Sequence, residues 1–250
     1  MYTLKKSLGQ HFLRDERYCD QIVQALTAHP FQRLLEVGPG GGALTKHLLA
    51  LPEIDFKAVE LDEEKIGYLE KIYPAMSGKL IHHSFLDMEK PFPAPFTVVG
   101  NFPYNISTQI LFKVLDWGDQ VEAVVGMFQK EVAERVAAGP GSKTYGVISV
   151  LVQAFYAVDY LFDVPPEAFQ PPPKVMSGVI RLLPVKPPTM RSHAAFRLLV
   201  KTAFNQRRKT LRNAVRGLFK PEILADPLFD QRAERLSVAD FAALTFKMNG

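Results

Sequence analysis

The residues best suited to chemistry in this chain stand together at Asn101-Phe102-Pro103-Tyr104. They follow an apolar run that predicts a buried strand, and a helical pattern begins a few residues later. In open α/β sheets, groups at the carboxyl end of a strand face the ligand. The Asn amide oxygen can accept an N–H, the rigid proline backbone can aim carbonyl groups, and the Tyr ring offers a stacking face. These groups predict a site that holds the exocyclic amine of a nucleic-acid base.

A glycine-rich turn and an acidic residue predict a second part of the site. The predicted strand at residues 33–38 runs into Pro39-Gly40-Gly41-Gly42 and then into a predicted helix over residues 43–51. Such glycines let the backbone approach a ligand closely. Their spacing differs from the G-x-G-x-x-G of dinucleotide folds, and no G-K-[ST] of a P-loop follows. Glu60 lies 22 residues after Gly38, at the end of the next predicted strand, where an acid accepts the hydroxyls of a ribose.

The elements that must position these groups alternate between strand and helix, which predicts a doubly wound α/β sheet with helices on both faces. Further strands are predicted over residues 79–85, 123–127 and 175–183. The proline-rich residues 165–174 are predicted to form an exposed connector, and residues 185–188 a linker. We therefore predict a catalytic domain at 1–184 and a small all-helical domain at 185–250.

The net charge of +4 conceals a strong asymmetry. No acidic residue lies between Glu167 and Glu222, an interval with 12 basic ones, while the rest of the chain carries 18 basic and 26 acidic residues. An acidic body with one basic region predicts a polyanionic partner. Four of these cations are expected on one helical face by their spacing: Arg197, Lys201, Arg208 and Arg212.

Composition excludes several classes of protein. No apolar run approaches the roughly 18 residues of a membrane span, and the N-terminus lacks the apolar core of a secretory signal. The single Cys19 excludes an internal disulfide and fits a reducing compartment. His82 and His83 are adjacent on a predicted strand and would point to opposite faces, so no metal site is predicted. These features predict a cytoplasmic chain.

With these motifs assembled, the chain closely resembles the KsgA (RsmA) ribosomal RNA adenine dimethyltransferases, which are class I S-adenosylmethionine enzymes. The resemblance extends from Leu8 to about Leu218. It rests on residues 9–13, 36–40, 59–62, 100–107, 129–132, 142–146, 169–175 and 204–213.

The resemblance implies S-adenosylmethionine as the cofactor and two adjacent adenosines in a hairpin near the 3′ end of 16S ribosomal RNA as the substrate. The amines of these adenosines become dimethylated in the assembling small subunit, by an enzyme expected to be a monomer. The implied catalytic residues are Asn101, Pro103, Tyr104 and Phe169. The implied cofactor-binding residues are His11, Leu13, Gly38, Gly40, Glu60, Ser84 and Asn101. With the charge pattern, the resemblance also implies these RNA-binding residues: Lys5, Lys6, Lys143, Lys174, Lys201, Arg207, Arg208, Lys209 and Arg212.

The sequence departs from the family at three positions. His11 replaces an Asn, Phe102 replaces a Leu, and Ser84 replaces the Asp that holds the adenine amine of the cofactor. A hydroxyl accepts that bond less strongly, at a loss on the order of 1 kcal/mol. Ser84 is the one feature that favours an alternative function, a non-catalytic assembly factor that binds the same RNA. A nucleotide-dependent oxidoreductase is a separate alternative. The glycine spacing and the basic region disfavour the oxidoreductase.

Overall fold

The computed structural model describes residues 11–249, which form two compact units. The first unit holds the chain up to Ala133 together with Val158–Pro184, and the second holds Glu134–Ala157 and the chain from Val185 onward. One break thus falls after Pro184, at the predicted domain boundary. Residues 134–157 were expected in the first domain, but they group with the second unit because their helix packs there.

The described residues of the first unit contain nine strands, counting β7, which begins at Tyr156. A short antiparallel pair joins β1 (Phe12–Leu13) to β8 (Phe169–Gln170). The other strands form one sheet in the order β4-β3-β2-β5-β6-β9-β7. Its strands are β2 (Arg33–Val37), β3 (Asp55–Glu60), β4 (Leu80–His82), β5 (Phe96–Asn101), β6 (Val121–Gln129), β7 (Tyr156–Val164) and β9 (Ser177–Pro184).

Five parallel strands carry the doubly wound pattern, and β9 adds to β6 in the antiparallel direction. The chain moves outward from β2 to β4, then returns to place β5 on the other side of β2. Because crossovers between parallel strands are right-handed, this reversal puts the connecting helices on opposite faces of the sheet. The helices up to β7 are α1 (Glu16–Thr27), α2 (Thr45–Leu48), α3 (Glu63–Ile72), α4 (Ser107–Trp117), α5 (Lys130–Ala137) and α6 (Val147–Gln153). The predicted α/β sheet is confirmed.

Local expectations failed where tertiary pairing decides the structure. The proline-rich stretch at residues 165–174 is not simply an exposed connector, since it contains β8, and Phe169 is buried. Strand β7 was not predicted because most of its side chains are only half-buried, so its sequence lacks a long apolar run. The predicted helix over residues 43–51 is reduced to the four residues of α2, with turns on either side.

The second unit contains α6, α7 (His193–Asn205), α8 (Leu211–Ala214), α9 (Pro221–Leu224) and α10 (Val238–Leu244), with short 3-10 turns between them. Residues 185–249 contain no strand, as predicted. Buried aromatic rings form much of its core, including Phe196, Phe229 and Phe241. In the described part of the chain, no helix has the length and apolar character needed to cross a membrane.

The expected single basic face is wrong. Helix α7 ends at Asn205, so Arg197 and Lys201 lie on it, whereas Arg208 lies in the following turn and Arg212 on α8. The helical spacing is therefore interrupted between the second and third of these cations. Their positions depend on the turn at residues 206–210.

Candidate active site

A cleft of about 170 Å³ opens at the carboxyl ends of β2, β3, β4 and β5, next to the reversal of strand order. This edge is where doubly wound sheets bind ligands. Nine of the ten predicted catalytic and cofactor-binding residues line the cleft: His11, Leu13, Gly38, Gly40, Glu60, Ser84, Asn101, Pro103 and Tyr104. Phe169 is not among the lining residues, because it is buried where β8 pairs with Leu13 of β1.

The glycine-rich turn and Glu60 form one wall of the cleft. Gly40 has a φ of +58°, and a Cβ there would come within 2.9 Å of the Phe12 ring, so glycine is required for both conformation and space. Glu60 is 7% exposed, and its Oε2 accepts the Gly40 N–H at 3.3 Å. Its Oε1 accepts the N–H groups of Leu61 and Asp62 at 3.0 Å each. The carboxylate is thus fixed at the end of β3.

Two residues of the cleft with ionisable side chains, Lys65 and Glu36, were missed by sequence reasoning. Lys65 of α3 is 4% exposed, and its Nζ lies 3.8 Å from Glu60 Oε2 and 5.4 Å from the centroid of the Phe12 ring. In the sequence, Lys65 follows an acidic helix start as many surface lysines do. No sequence pattern therefore indicates that it is buried in the cleft. Glu36 did carry a signal, because it is an acid within the apolar run of β2.

Glu36 is 1% exposed and accepts a hydrogen bond from Thr45 Oγ1 at 2.8 Å. Burial raises the pKa of its carboxyl to about 8, and the nearby charge of Glu60 acts in the same direction. The Thr45 hydroxyl lowers this pKa but does not offset the burial. Glu36 is therefore protonated at neutral pH.

Asn101 is the last residue of β5, and a hydrogen bond fixes the orientation of its side-chain amide. Its Nδ2 donates to the main-chain carbonyl of His11 at 2.9 Å. Since the amide nitrogen is held in this way, the Oδ1 atom is the group available as an acceptor. The Pro103 carbonyl accepts the N–H of Ile106 at 3.2 Å, which leaves one of its two lone pairs.

Tyr104 is anchored through its hydroxyl, which lies 2.5 Å from Ser177 Oγ. Burial raises the pKa of this phenol. Phe102 faces the other way and is 1% exposed, with its ring packed against Phe128 at a centroid distance of 5.0 Å. The substitution of Phe102 for the family Leu is therefore a change in the core, behind the cleft.

His11 connects three segments of the site. Its carbonyl holds Asn101, its Nδ1 donates to the Pro171 carbonyl at 2.9 Å, and its ring centroid lies 5.5 Å from that of Tyr104. The residue was predicted to bind the cofactor. Its observed contacts are with the chain itself, and they fix the segment before β1 against the segment after β8.

Ser84 follows β4 and is half-buried in the cleft wall. Its carbonyl accepts the N–H groups of Asp87 and Met88, at 3.1 Å and 3.0 Å. Asp87 is exposed and does not line the cleft, so its carboxylate does not replace the missing family Asp.

The predicted RNA-binding residues fall into two groups. Lys143, Lys174, Lys201, Arg208 and Lys209 are exposed. Arg207 and Arg212 are half-buried and hold partners within the second unit. Arg207 pairs with Glu234 at 3.1 Å and donates to the Lys143 carbonyl, while Arg212 donates to Leu224 O at 2.9 Å and pairs with Asp230 at 3.0 Å. Lys5 and Lys6 lie outside the described residues.

The fold and the cleft are those of a Rossmann-like, doubly wound α/β protein, and solved structures share this fold. The chain superposes with a TM-score of 0.76 on a dimethyladenosine transferase from Plasmodium falciparum, at 24% identity and covering 92% of this chain and 94% of that one. For the 23S rRNA methyltransferase ErmE, the TM-score is 0.72 at 21% identity, with 96% and 100% covered.

Sequence comparison gives the family. Residues 1–247 match the family described as ribosomal RNA adenine dimethylase. The small subunit methyltransferase A of Cytophaga hutchinsonii is 51% identical, covering 98% of this chain and 97% of that relative. That of Parabacteroides distasonis is 49% identical, covering 96% and 92%. The chain belongs to the ribosomal RNA adenine dimethylase family. The predicted enzyme class and its cofactor, S-adenosylmethionine, are confirmed by this membership.

Proposed function

We propose that the protein dimethylates the N6 amines of two adjacent adenosines in a hairpin near the 3′ end of 16S ribosomal RNA. The single observation that carries this proposal is the orientation of Asn101, whose amide N–H is bound to His11 so that Oδ1 remains as an acceptor. Small-subunit methyltransferases among the relatives support the choice of 16S RNA. We further propose that the enzyme acts as a cytoplasmic monomer on the assembling subunit.

The cleft fits the cofactor. Glu60 presents a fixed carboxylate for ribose hydroxyls, and Gly40 brings main chain close to the bound molecule. Leu61 and Phe85 add apolar surface for a flat base, and Ser84 offers a hydroxyl beside it. S-adenosylmethionine, when bound, supplies a methyl group that is already activated on a sulfonium.

The task left to the chain is to position the amine. The N6 lone pair is conjugated with the purine ring, so the amine is a poor nucleophile until its hydrogens are held. Asn101 Oδ1 and the remaining lone pair of the Pro103 carbonyl would each accept one N–H, which directs the nitrogen lone pair out of the ring plane. Such positioning is worth roughly 7–11 kcal/mol in favourable cases. The proton that the nitrogen loses after transfer can pass to water.

The second methylation uses fewer contacts. After the first transfer, the amine has one N–H, so one acceptor must suffice. Because the Pro103 carbonyl already accepts from Ile106, we assign the second round to Asn101. Tyr104, fixed by Ser177, provides a stacking face for the extruded base, and a base stacked on an aromatic ring gains about 1–3 kcal/mol.

Phe169 was also predicted to stack on the base. Its burial beside β1 means that this role requires a change in the segment around β8. The exposed cations Lys143, Lys174, Lys201, Arg208 and Lys209 are proposed to contact RNA phosphates. Arg207 and Arg212 are proposed to act indirectly, since their partners hold the segment that carries Arg208 and Lys209.

The test is transfer of labelled methyl groups to small subunits that lack the modification, followed by nucleoside analysis. The expected product is dimethyladenosine at two adjacent positions. Asn101→Ala should lose transfer, whereas Asn249→Ala, the same truncation at an exposed position of the second unit, should retain it. Full transfer by Asn101→Ala would refute the mechanism. RNA binding by the native chain without transfer would favour the assembly-factor alternative, with Ser84 marking a lost cofactor site.

A further inference from the structure

A second cluster of reactive side chains lies where α1 packs against α2, apart from the cleft residues. Glu16, Cys19 and His47 each offer one ligand atom, and these atoms all lie within 4.8 Å of one another. Glu16 and Cys19 are three residues apart and share one face of α1, while His47 comes from α2. No sequence pattern indicates this set, because Cys19 and His47 lie 28 residues apart.

The orientation of His47 resembles that of a metal-binding histidine. Its Nε2 lies 2.9 Å from Glu16 Oε2, on the side of the cluster. Its other nitrogen, Nδ1, lies 3.5 Å from Asp20 Oδ1. In metal sites a carboxylate behind the imidazole fixes the ring, with the opposite nitrogen directed at the ion; Asp20 lies on that side of His47, at a separation longer than a hydrogen bond.

We propose that Glu16, Cys19 and His47 bind a zinc ion. A thiolate, an imidazole and a carboxylate form a mixed S, N and O donor set, which zinc accepts in tetrahedral geometry with water as the fourth ligand. The ion would replace the hydrogen bond between His47 and Glu16, and it would displace the proton of the Cys19 thiol to solvent. It would join α1, which follows β1, to α2, which follows the glycine-rich turn.

Lys46 sets the strength of this site. Its ammonium group binds the other carboxylate oxygen, Glu16 Oε1, and leaves Oε2 directed at His47. A cation bound to the same carboxylate competes electrostatically with zinc. The site should therefore bind zinc more weakly than it would without Lys46, and removal of this charge should tighten it.

The direct test is cobalt(II) substitution in tag-free full-length protein. Cobalt(II) bound by a thiolate gives a ligand-to-metal charge-transfer band in the near ultraviolet, and Cys19 is the only cysteine of the chain. The expected result is a band that saturates at one cobalt per chain and disappears when zinc is added. Zinc affinity is then measured by competition with a chromophoric chelator.

Variants of the proposed ligands and of the residues beside them should change zinc affinity in different ways. Cys19→Ser should abolish the band, and both it and His47→Gln should weaken zinc binding at least tenfold. Asp20→Asn should weaken it by about 10- to 100-fold, as is usual for a residue behind a ligand. Lys46→Gln should strengthen it severalfold. His82→Gln, which alters an exposed histidine on β4, serves as the matched control and should change nothing.

Three results would overturn the proposal: no thiolate band with cobalt, equal zinc affinity in native protein and His47→Gln, or no tightening in Lys46→Gln. The His47 and Lys46 variants alter groups that are not part of the buried core, so they remain informative if Cys19→Ser fails to fold. None of these measurements depends on methyltransferase activity.

Discussion

Replacing Glu36 with Gln tests the electrostatics of the cleft directly. In the native chain this acid is buried within the parallel strands, paired in register with Ala58 on one side and Val99 on the other. Gln can still accept the hydrogen bond of Thr45 Oγ1 and is neutral at every pH. The substitution therefore removes the ionisation of residue 36 and preserves its shape.

The sign of the effect follows from the pKa values. The Glu36 pKa is about 8 in the folded chain, against an ordinary value of 4.5 when the chain unfolds. Between these values the unfolded state binds fewer protons, so the free energy of unfolding falls as pH rises, by up to about 1.4 kcal/mol per pH unit. Between pH 5 and pH 7 the native chain should lose roughly 2–3 kcal/mol through this group. Glu36→Gln loses none of it.

The assay is urea unfolding of both proteins at pH 5, 6 and 7, with the difference in unfolding free energy as the readout. In this difference, the contributions of histidines and other groups that titrate in both proteins cancel. The advantage of Glu36→Gln should grow by roughly 2–3 kcal/mol across this range and level off above pH 8. A difference that stays constant with pH would refute the conclusion that Glu36 is protonated in the folded chain.

Three further predictions concern the cofactor, the glycine turn and the RNA. Ser84→Asp restores a carboxylate acceptor and should raise S-adenosylmethionine affinity about fivefold by calorimetry, equivalent to about 1 kcal/mol. Gly40→Ala, at a φ of +58° with a ring carbon 2.9 Å from the new Cβ, should lower stability by about 1–2 kcal/mol in urea unfolding. Gly67→Ala, within α3 and with no atom near the new Cβ, should instead stabilise by up to about 1 kcal/mol. The double variant Arg208→Gln, Lys209→Gln should reduce the salt dependence of RNA binding by about 0.7–0.9 log units per lost contact.

Each of these has an outcome that contradicts it. Unchanged cofactor affinity in Ser84→Asp would mean that position 84 does not meet the adenine amine. A Gly40→Ala protein as stable as Gly67→Ala would show that the turn tolerates a side chain. For the RNA, Arg212→Gln is the comparison. It should unfold more easily because its internal partners are lost, and an unchanged salt slope in the double variant would remove Arg208 and Lys209 from the interface.

Local sequence predicted the parallel part of the sheet well, because β2, β3 and β5 are apolar runs that end in polar or glycine residues. It failed for β1, β7 and β8, whose strand character comes from partners distant in the chain. It failed also for the break in α7 at Asn205, since residues 206–210 contain no proline or glycine to mark a helix end.

The residues of the site also fall into those that could be predicted from the sequence and those that could not. Glu60 and Asn101 could be placed because each stands at the end of a recognisable strand. Lys65 could not be, since its burial depends on Phe12 and Glu60, which converge on it only in three dimensions. The contacts of His11 were also beyond sequence reasoning, because Pro171 lies 160 residues away.

The pairing of β1 with β8 also has a consequence for biosynthesis. Phe12 and Leu13 are among the first described residues to leave the ribosome, but their partners Gln170 and Phe169 are made much later. Strand β9, which separates β6 from β7, is later still. A nascent chain can therefore form the central strands early, yet it cannot close the segment that carries His11 over Asn101. A chain that ends before Pro171 therefore lacks the contacts that hold His11 against Asn101.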